Sequence, residues 1–247
     1  MIHPIIRIQI ENSIYDRLVA ESVKYALISL PYTINRMSLK NILARITNIA
    51  KGKISEKLFL HFCEQNEIPV KTKKCQTPFY LPDKRDFILG REEWDIKNNY
   101  LRHEDDILSP DQYLNLPALI PNRGEWDQWS KKDQCFHAPS TDTVCYMFSF
   151  MKGWKDKIPF LSIELTEGQN AFIIKLIQSA RKKEKPYDEK WFWLKMTELG
   201  NGIPFKYHLN FHPELILCGL AQEKDFSRFN DLKPQNFQNG LFKTRIQ

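Results

Sequence analysis

Apolar residues recur at helical spacing through the first part of the chain, and this pattern predicts three helices. Ser13 and Ser38 are suited to cap the first two. The third is expected over Ser55–Glu64, and Gly52 separates it from the second. The apolar positions of the three helices are Ile14, Leu18, Val19, Tyr25 and Ala26; Leu39, Ile42, Leu43, Ile46 and Ile49; and Leu58, Phe59 and Phe62.

Between Ile68 and Leu101 the pattern changes to that of β-strands. The runs Asp86–Leu89 and Glu93–Leu101 flank a short turn at Gly90-Arg91, which is typical of a β-hairpin. The polar, proline-punctuated stretch 102–142 follows neither the helical nor the strand period. Beyond it the pattern predicts strands and one helix, at Thr143–Met151, Phe160–Leu165, Gln169–Arg181 (the helix) and Glu214–Leu220.

This order of elements predicts a mixed α/β fold, in which a central mixed β-sheet carries the hairpin and is flanked by helices. We expect one domain with four parts. They are an N-terminal helical part at 1–54, a helix and hairpin at 55–101, an insertion at 102–142, and the remainder of the sheet and helices at 143–247.

Composition limits the class of protein. Of the 247 residues, 42% are hydrophobic, which suffices for a substantial core, and no apolar run reaches the roughly 18 residues of a membrane span. The start of the chain lacks the layout of a signal peptide. The five cysteines are scattered and odd in number, unlike a disulfide framework. We therefore expect a cytoplasmic protein.

The common nucleotide and zinc motifs do not explain the chain. It contains no phosphate-binding P-loop and no dinucleotide-binding glycine motif. Cys135, His137 and Cys145 do not have the spacing of a zinc site. Chemistry must therefore be sought elsewhere, and the hairpin is the strongest candidate.

The second strand of the hairpin separates apolar from charged residues. Because side chains alternate across a strand, Trp94 and Ile96 share one face while Asp95 and Lys97 share the other. If Asp86 on the first strand points the same way, two carboxylates and one ammonium converge. These three groups are the fewest that metal-assisted attack on a phosphodiester requires.

The candidate residues suit Mg²⁺, which prefers hard oxygen ligands and takes only one or two carboxylates, with waters and phosphate oxygens completing its shell. Asp86 and Asp95 meet that demand. The backbone carbonyl of Ile96 lies between the two projecting side chains of its strand and can add a ligand. Lys97 can hold the attacking water and steady the phosphate.

The hairpin resembles the PD-(D/E)XK nuclease superfamily, which includes most type II restriction endonucleases. The motif of that superfamily is an acid on one strand, a short spacer, and acid-x-Lys on the next strand. Here Asp86 is followed, after eight residues, by Asp95-Ile-Lys97. A literal Pro82-Asp83 is the competitor for the first acid. Asp86 is preferred because it lies in an apolar strand directly before the turn.

Members of this superfamily often carry another acid on the helix before the hairpin. Glu56 matches that position, and Glu64 and Glu67 are alternatives. An acid in the first turn of a helix also complements the helix dipole, which would account for Glu56 without any catalytic role. The resemblance covers about 45 residues, from Glu56 to Leu101.

The resemblance implies double-stranded DNA as the partner, and the net charge of +6 is compatible with a polyanion. Asn, Gln and Arg side chains read base edges, and Lys contacts phosphates. On this basis the candidates for DNA contact are Asn98, Asn99, Asn122, Arg123, Gln128 and Lys131.

The resemblance therefore implies a Mg²⁺-dependent endonuclease that hydrolyses DNA phosphodiester bonds, most like a sequence-specific type II restriction enzyme acting as a homodimer. In such an enzyme, the metal would be bound by Asp86, Asp95 and Ile96. Lys97 would orient the water, and Glu56 would assist. Two alternatives stay open: a nonspecific or repair-type nuclease of the same superfamily, and a non-catalytic nucleic-acid-binding protein with a similar hairpin.

Overall fold

The computed structural model describes residues 6–33, 41–81, 85–102, 117–121, 145–153, 161–182, 185–222 and 241–245. The helices in these ranges are α1 Asn12–Thr33, α2 Ile42–Gln65, α3 Glu167–Arg181 and α4 Glu189–Leu199. The strands are β1 Ile6–Gln9, β2 Val70–Lys71, β3 Phe87–Leu89, β4 Glu92–Arg102, β5 Pro117–Pro121, β6 Cys145–Gly153, β7 Leu161–Glu164, β8 Lys206–Leu209, β9 Glu214–Gln222 and β10 Leu241–Arg245.

Six of the described strands form one mixed sheet, in the order β1-β9-β6-β4-β3-β2. Strands β2, β3 and β4 follow one another along the chain as antiparallel neighbours. Strand β6 lies parallel to β4, while β9 and β1 add antiparallel pairs at the far side. The predicted mixed α/β class, with a central mixed sheet and flanking helices, is confirmed.

The predicted hairpin is formed by β3 and β4. Leu89 pairs with Glu92, which leaves Gly90 and Arg91 as a two-residue turn. Gly90 has a φ of +67°, a left-handed conformation that glycine adopts without steric cost. The turn residue at the predicted position therefore sets the register of the two strands.

A layer of helices covers the apolar face of the hairpin. The ring of Phe59 on α2 lies 4.8 Å, centre to centre, from that of Phe87 on β3, and both side chains are buried. Trp94 and Ile96 of β4 belong to the same hydrophobic cluster as the buried residues of α1 and α2. This cluster fixes the hairpin against α2.

The prediction of two separate helices over 38–64 is wrong. Helix α2 runs unbroken from Ile42 to Gln65, so Gly52 and the predicted boundary at 54/55 lie inside it. The N-cap is Asn41, whose side chain accepts a 3.1 Å bond from a backbone N–H in the first turn. A glycine inside a helix costs about 1 kcal/mol, and packing of this long helix against α1 offsets that cost. Ser38 lies outside the described residues.

The later predicted elements are confirmed as α3, β6, β7 and β9. Helix α4 and the strands β1 and β8 are not among the predicted elements. In α4 the consecutive aromatic residues Trp191-Phe-Trp193 obscure the helical period, and β1 and β8 have four residues each.

Within the predicted insertion at 102–142, the structure describes Arg102 and strand β5, which pairs antiparallel with β10. A further small sheet joins β7 and β8. Among the described helices, none combines the length and the apolar character needed to cross a membrane.

Candidate active site

Two aspartates meet at the open end of the hairpin. Asp86 directly precedes β3, and its backbone N–H donates to the carbonyl of Trp94 at 3.0 Å. Its side-chain Oδ2 accepts a 2.8 Å bond from the backbone N–H of Ile96. The side chains of Asp86 and Asp95 line the same cavity, and each alters the pKa of the other. The structure therefore brings together the two acids that the sequence singles out.

Lys97 lies beside the acid pair. Its Nζ is 2.5 Å from Oδ2 of Asp95, and the two side chains are only 21% and 19% exposed. The same Nζ lies 5.8 Å from the ring centre of Tyr146, the β6 residue paired with Asp95. The carboxylate and the ring together hold the ammonium in place. Because Trp94 and Ile96 are buried in the core, the predicted division of β4 into two faces is confirmed.

Burial and the nearby carboxylates of Asp95 and Glu56 raise the pKa of Asp86 well above its usual range. Burial also acts to raise the pKa of Asp95, but the charge and the hydrogen bond of Lys97 outweigh it. The pKa of Asp95 is therefore lowered. The two carboxyl groups are therefore shifted in opposite directions, so Asp95 is the more acidic of the pair.

Replacing Asp86 with asparagine is expected to stabilise the protein in metal-free buffer. Because the pKa of Asp86 is higher in the folded than in the unfolded chain, folding gains stability from this group only at low pH, and the gain is lost as pH rises through the folded pKa. Asparagine removes this dependence and keeps an oxygen for the N–H of Ile96. We expect D86N to melt about 2–4 °C above wild type at pH 8, or roughly 1 kcal/mol, and the difference to shrink towards pH 4. A lower midpoint at pH 8 would contradict the raised pKa of Asp86 in the folded protein.

Glu56 approaches the acid pair from α2. It lies fourteen residues after Ile42, the first residue of the helix, which is about four turns into it. The helix dipole acts only within the first turn, so it does not account for an acid at this position. The negative charge of Glu56 contributes to the raised pKa of Asp86. Glu56 therefore belongs to the group of charged side chains around Asp86.

Lys53 is a member of the site that the sequence analysis does not identify. Its Nζ is 2.5 Å from Oε2 of Glu56, one helical turn away, and 5.0 Å from the ring centre of Tyr25 on α1. Its charge acts to lower the pKa of Asp86. The one signal in the sequence is the spacing of three residues between Lys53 and Glu56, which makes side chains neighbours on a helix.

Two cavities border the acid pair and share part of their lining. The smaller, of about 290 Å³, is lined by Asp86, Asp95, Ile96 and Glu56 among others. The larger, of about 570 Å³, also reaches Asp86 and Glu56 and extends between α1, α2 and residues 75–79. A ligand can therefore approach the carboxylates from solvent.

The donor set of the site fits Mg²⁺. The N–H of Ile96 points towards Asp86, and in a strand the carbonyl of a residue points to the same edge as its N–H. Asp86, Asp95 and this carbonyl thus offer hard oxygens in one place. Nowhere in the described ranges do three His, Cys, Asp or Glu side chains form a metal-binding group. Mg²⁺ needs no such group, because one or two carboxylates with waters suffice.

Of the residues proposed for DNA contact, Asn98 and Asn99 follow Lys97 in β4, and the others lie outside the described residues. Asn98 is half-buried on the same strand face as Ile96, and its Oδ1 accepts a 3.1 Å bond from the buried Ser149 hydroxyl. Asn99 lies in β4. A DNA contact by either residue stays a prediction. The structure does not describe the other candidates, which are Asn122, Arg123, Gln128, Lys131 and, as the alternative first acid, Asp83.

Comparison with protein-family models, with curated proteins and with solved structures gave no match to this chain. The candidate site is therefore interpreted from its own geometry and from the resemblance of its motif.

Proposed function

We propose that the protein is a Mg²⁺-dependent endodeoxyribonuclease with Asp86, Asp95 and Lys97 as its catalytic residues and Glu56 in support. The observation that carries this proposal is the convergence of these groups in one half-buried cluster, with Lys97 at 2.5 Å from Asp95 and with Asp86, Asp95 and Glu56 lining the same cavity. Side chains that are merely exposed neighbours on a hairpin would not form a half-buried ion pair beside a second carboxylate.

Phosphodiester hydrolysis needs charge neutralisation, an oriented water and a stabilised leaving oxygen. Mg²⁺ held by Asp86, Asp95 and the carbonyl of Ile96 would supply a Lewis acid at the phosphate. The protein positions the other groups. Asp95 holds the ammonium of Lys97, which can donate hydrogen bonds to the attacking water and to a phosphate oxygen. The N–H of Ile96 fixes the orientation of Asp86.

Within this class, we propose a sequence-specific type II restriction endonuclease that acts on double-stranded DNA as a homodimer in the cytoplasm. The support for this finer assignment is the resemblance of the motif, including the acid on the preceding helix. The restriction-endonuclease-like core is part of the same proposal. A nonspecific or repair-type nuclease would use the same residues.

Purified protein incubated with long, unmethylated duplex DNA tests the proposal. We expect cleavage in Mg²⁺ and none in EDTA. Discrete fragments would identify a sequence-specific enzyme, and a smear would identify a nonspecific one. DNA binding without any cleavage in Mg²⁺ would overturn the proposal in favour of a non-catalytic DNA-binding protein.

Replacing Glu56 with glutamine is expected to slow cleavage by about 10- to 100-fold, the range found when groups that support metal ligands are removed. The substitution keeps the size of the side chain but removes the charge that faces Asp86 and the ion pair with Lys53. Glu64→Gln is the matched control, because Glu64 is an exposed acid on the same helix. The single-turnover rate of DNA cleavage is measured for both variants. Equal rates for Glu56→Gln and Glu64→Gln would exclude Glu56 from the site.

A further inference from the structure

The larger cavity beside the acids is itself a candidate binding site. It has a volume of about 570 Å³, and its lining includes Asp86 and Glu56, which also line the smaller cavity that reaches Asp95. Pockets for small ligands have volumes of about 300–1,000 Å³. A ligand in the larger cavity would therefore lie directly next to the carboxylates.

One part of the cavity lining is apolar and aromatic. Phe79, Pro78, Ile28 and Tyr25 contribute to it. The ring of Phe79 is held at 5.9 Å from that of Tyr32 and 5.5 Å from that of Tyr187, centre to centre. Tyr80 also packs on this ring at 5.4 Å, and the half-buried Phe79 lines the cavity with the surface that remains. A nucleobase can stack on an aromatic surface of this kind. The neighbouring Gln76 offers an amide of the kind that hydrogen-bonds base edges.

The charged part of the lining contains three lysines, two of which form ion pairs. Lys57 pairs with Glu21 at 2.7 Å, and Lys53 pairs with Glu56. Lys24 also lines the cavity, is exposed, and makes no ion pair within the described part of the chain.

The acid Glu189 also borders the cavity. It lies in the first turn of α4, where the helix dipole offsets a negative charge. Arg85 also lines the cavity, and its guanidinium lies 3.8 Å from the carboxylate of Glu93. Among the lysines of the lining, Lys24 is the one without an ion pair within the described residues, and its ammonium can therefore bind a ligand phosphate.

The geometry points to a pocket for one unpaired nucleotide, adjoining the scissile phosphate. A base inside a duplex is stacked on both sides and paired, so it can enter such a cavity only when the strand is single or when the nucleotide leaves the stack. Phe79 provides the stacking surface and Lys24 contacts the flanking phosphate. This inference rests on the proposed nuclease function, and it defines the substrate as DNA with an unpaired or extruded nucleotide beside the cut.

Binding of short oligonucleotides, measured without cleavage in EDTA, tests the pocket. The probe is a fluorescently labelled single-stranded hexanucleotide, compared with a blunt duplex and with the same duplex carrying one mismatch. We expect the single strand and the mismatched duplex to bind more tightly than the perfect duplex. Tightest binding of the perfect duplex would overturn the inference.

Two variants assign the binding to the cavity. Phe79→Leu is expected to weaken single-strand binding at least about fivefold, and Phe79→Tyr, which keeps the ring, is expected to retain it. Lys24→Ala changes an exposed side chain and is expected to lower the salt dependence of binding by about 0.7 in the logarithmic slope. Lys190→Ala, an exposed lysine in α4, is the control for Lys24 and should leave the slope unchanged.

The outcomes separate the pocket from the proposed function. If Lys24 and Phe79 control binding but no cleavage occurs in Mg²⁺, the pocket stands and the nuclease proposal fails. If the protein cleaves DNA and neither Phe79→Leu nor Lys24→Ala alters single-strand binding, the pocket is refuted and the nuclease proposal stands.

Discussion

Replacing Asp95 with asparagine is expected to lower the rate of Mg²⁺-dependent DNA cleavage by at least about 10³-fold, or roughly 4 kcal/mol in the barrier. The pKa of Asp95 is lowered by Lys97, and its Oδ2 holds the ammonium of Lys97 at 2.5 Å. The substitution therefore removes a proposed metal ligand and the anchor of the lysine together. Single-turnover cleavage of duplex DNA at excess protein measures the effect.

Asp16→Asn is the matched control for this substitution. Asp16 is exposed on α1, and the chemical change is the same. We expect this variant to cut like wild type. A thermal melt of D95N shows whether the variant is folded. Cleavage by folded D95N within tenfold of wild type would exclude Asp95 from the reaction.

Truncating Phe87 to alanine is expected to destabilise the protein by about 3–5 kcal/mol. Phe87 is fully buried, and its ring lies 4.8 Å, centre to centre, from that of Phe59 on α2. This contact joins the helix that carries Glu56 to the strand that follows Asp86. We therefore expect a lower free energy of unfolding, measured with urea. We also expect a slower rate of cleavage by the fraction of the protein that remains folded.

The control for Phe87→Ala is Leu194→Ala, because Leu194 is apolar but 66% exposed. A surface truncation of this kind is expected to change stability by no more than about 0.5 kcal/mol. A loss of less than about 1 kcal/mol for Phe87→Ala would show that the hairpin does not depend on its contact with α2.

The hairpin and its division into two faces could be predicted from the sequence because both are set locally. Gly90 takes the left-handed conformation that a two-residue turn requires. The alternation of Trp94, Asp95, Ile96 and Lys97 follows from the period of a strand. The register of the strands and the placement of Asp95 and Lys97 on one face follow from these two local rules.

The extent of α2 could not be predicted in the same way. Gly52 indicates a break, yet the helix continues through it, and an added Cβ at this position would meet nothing within 4 Å. Packing of the whole helix against α1 and the hairpin outweighs the local preference of Gly52 for a break. Because a break is predicted at Gly52, Glu56 is also predicted to lie in the first turn of a helix. In that position the helix dipole alone would explain an acid.

Residues that enter the site from other elements were the least accessible to sequence analysis. Lys53 belongs to the site because α2 crosses the open end of the hairpin, and Tyr25 because α1 packs beside α2. No local pattern encodes these tertiary contacts.

The most direct test of the central claim is the cleavage of long duplex DNA in Mg²⁺ by wild type, Lys97→Ala and Lys71→Ala, purified and assayed in parallel. Lys71 is an exposed lysine on β2 of the same sheet, so its replacement controls for the loss of one positive charge. We predict that wild type and K71A cut the DNA at similar rates and that K97A does not cut it measurably. Cleavage by folded K97A at the wild-type rate would contradict the account, even if the protein is a nuclease.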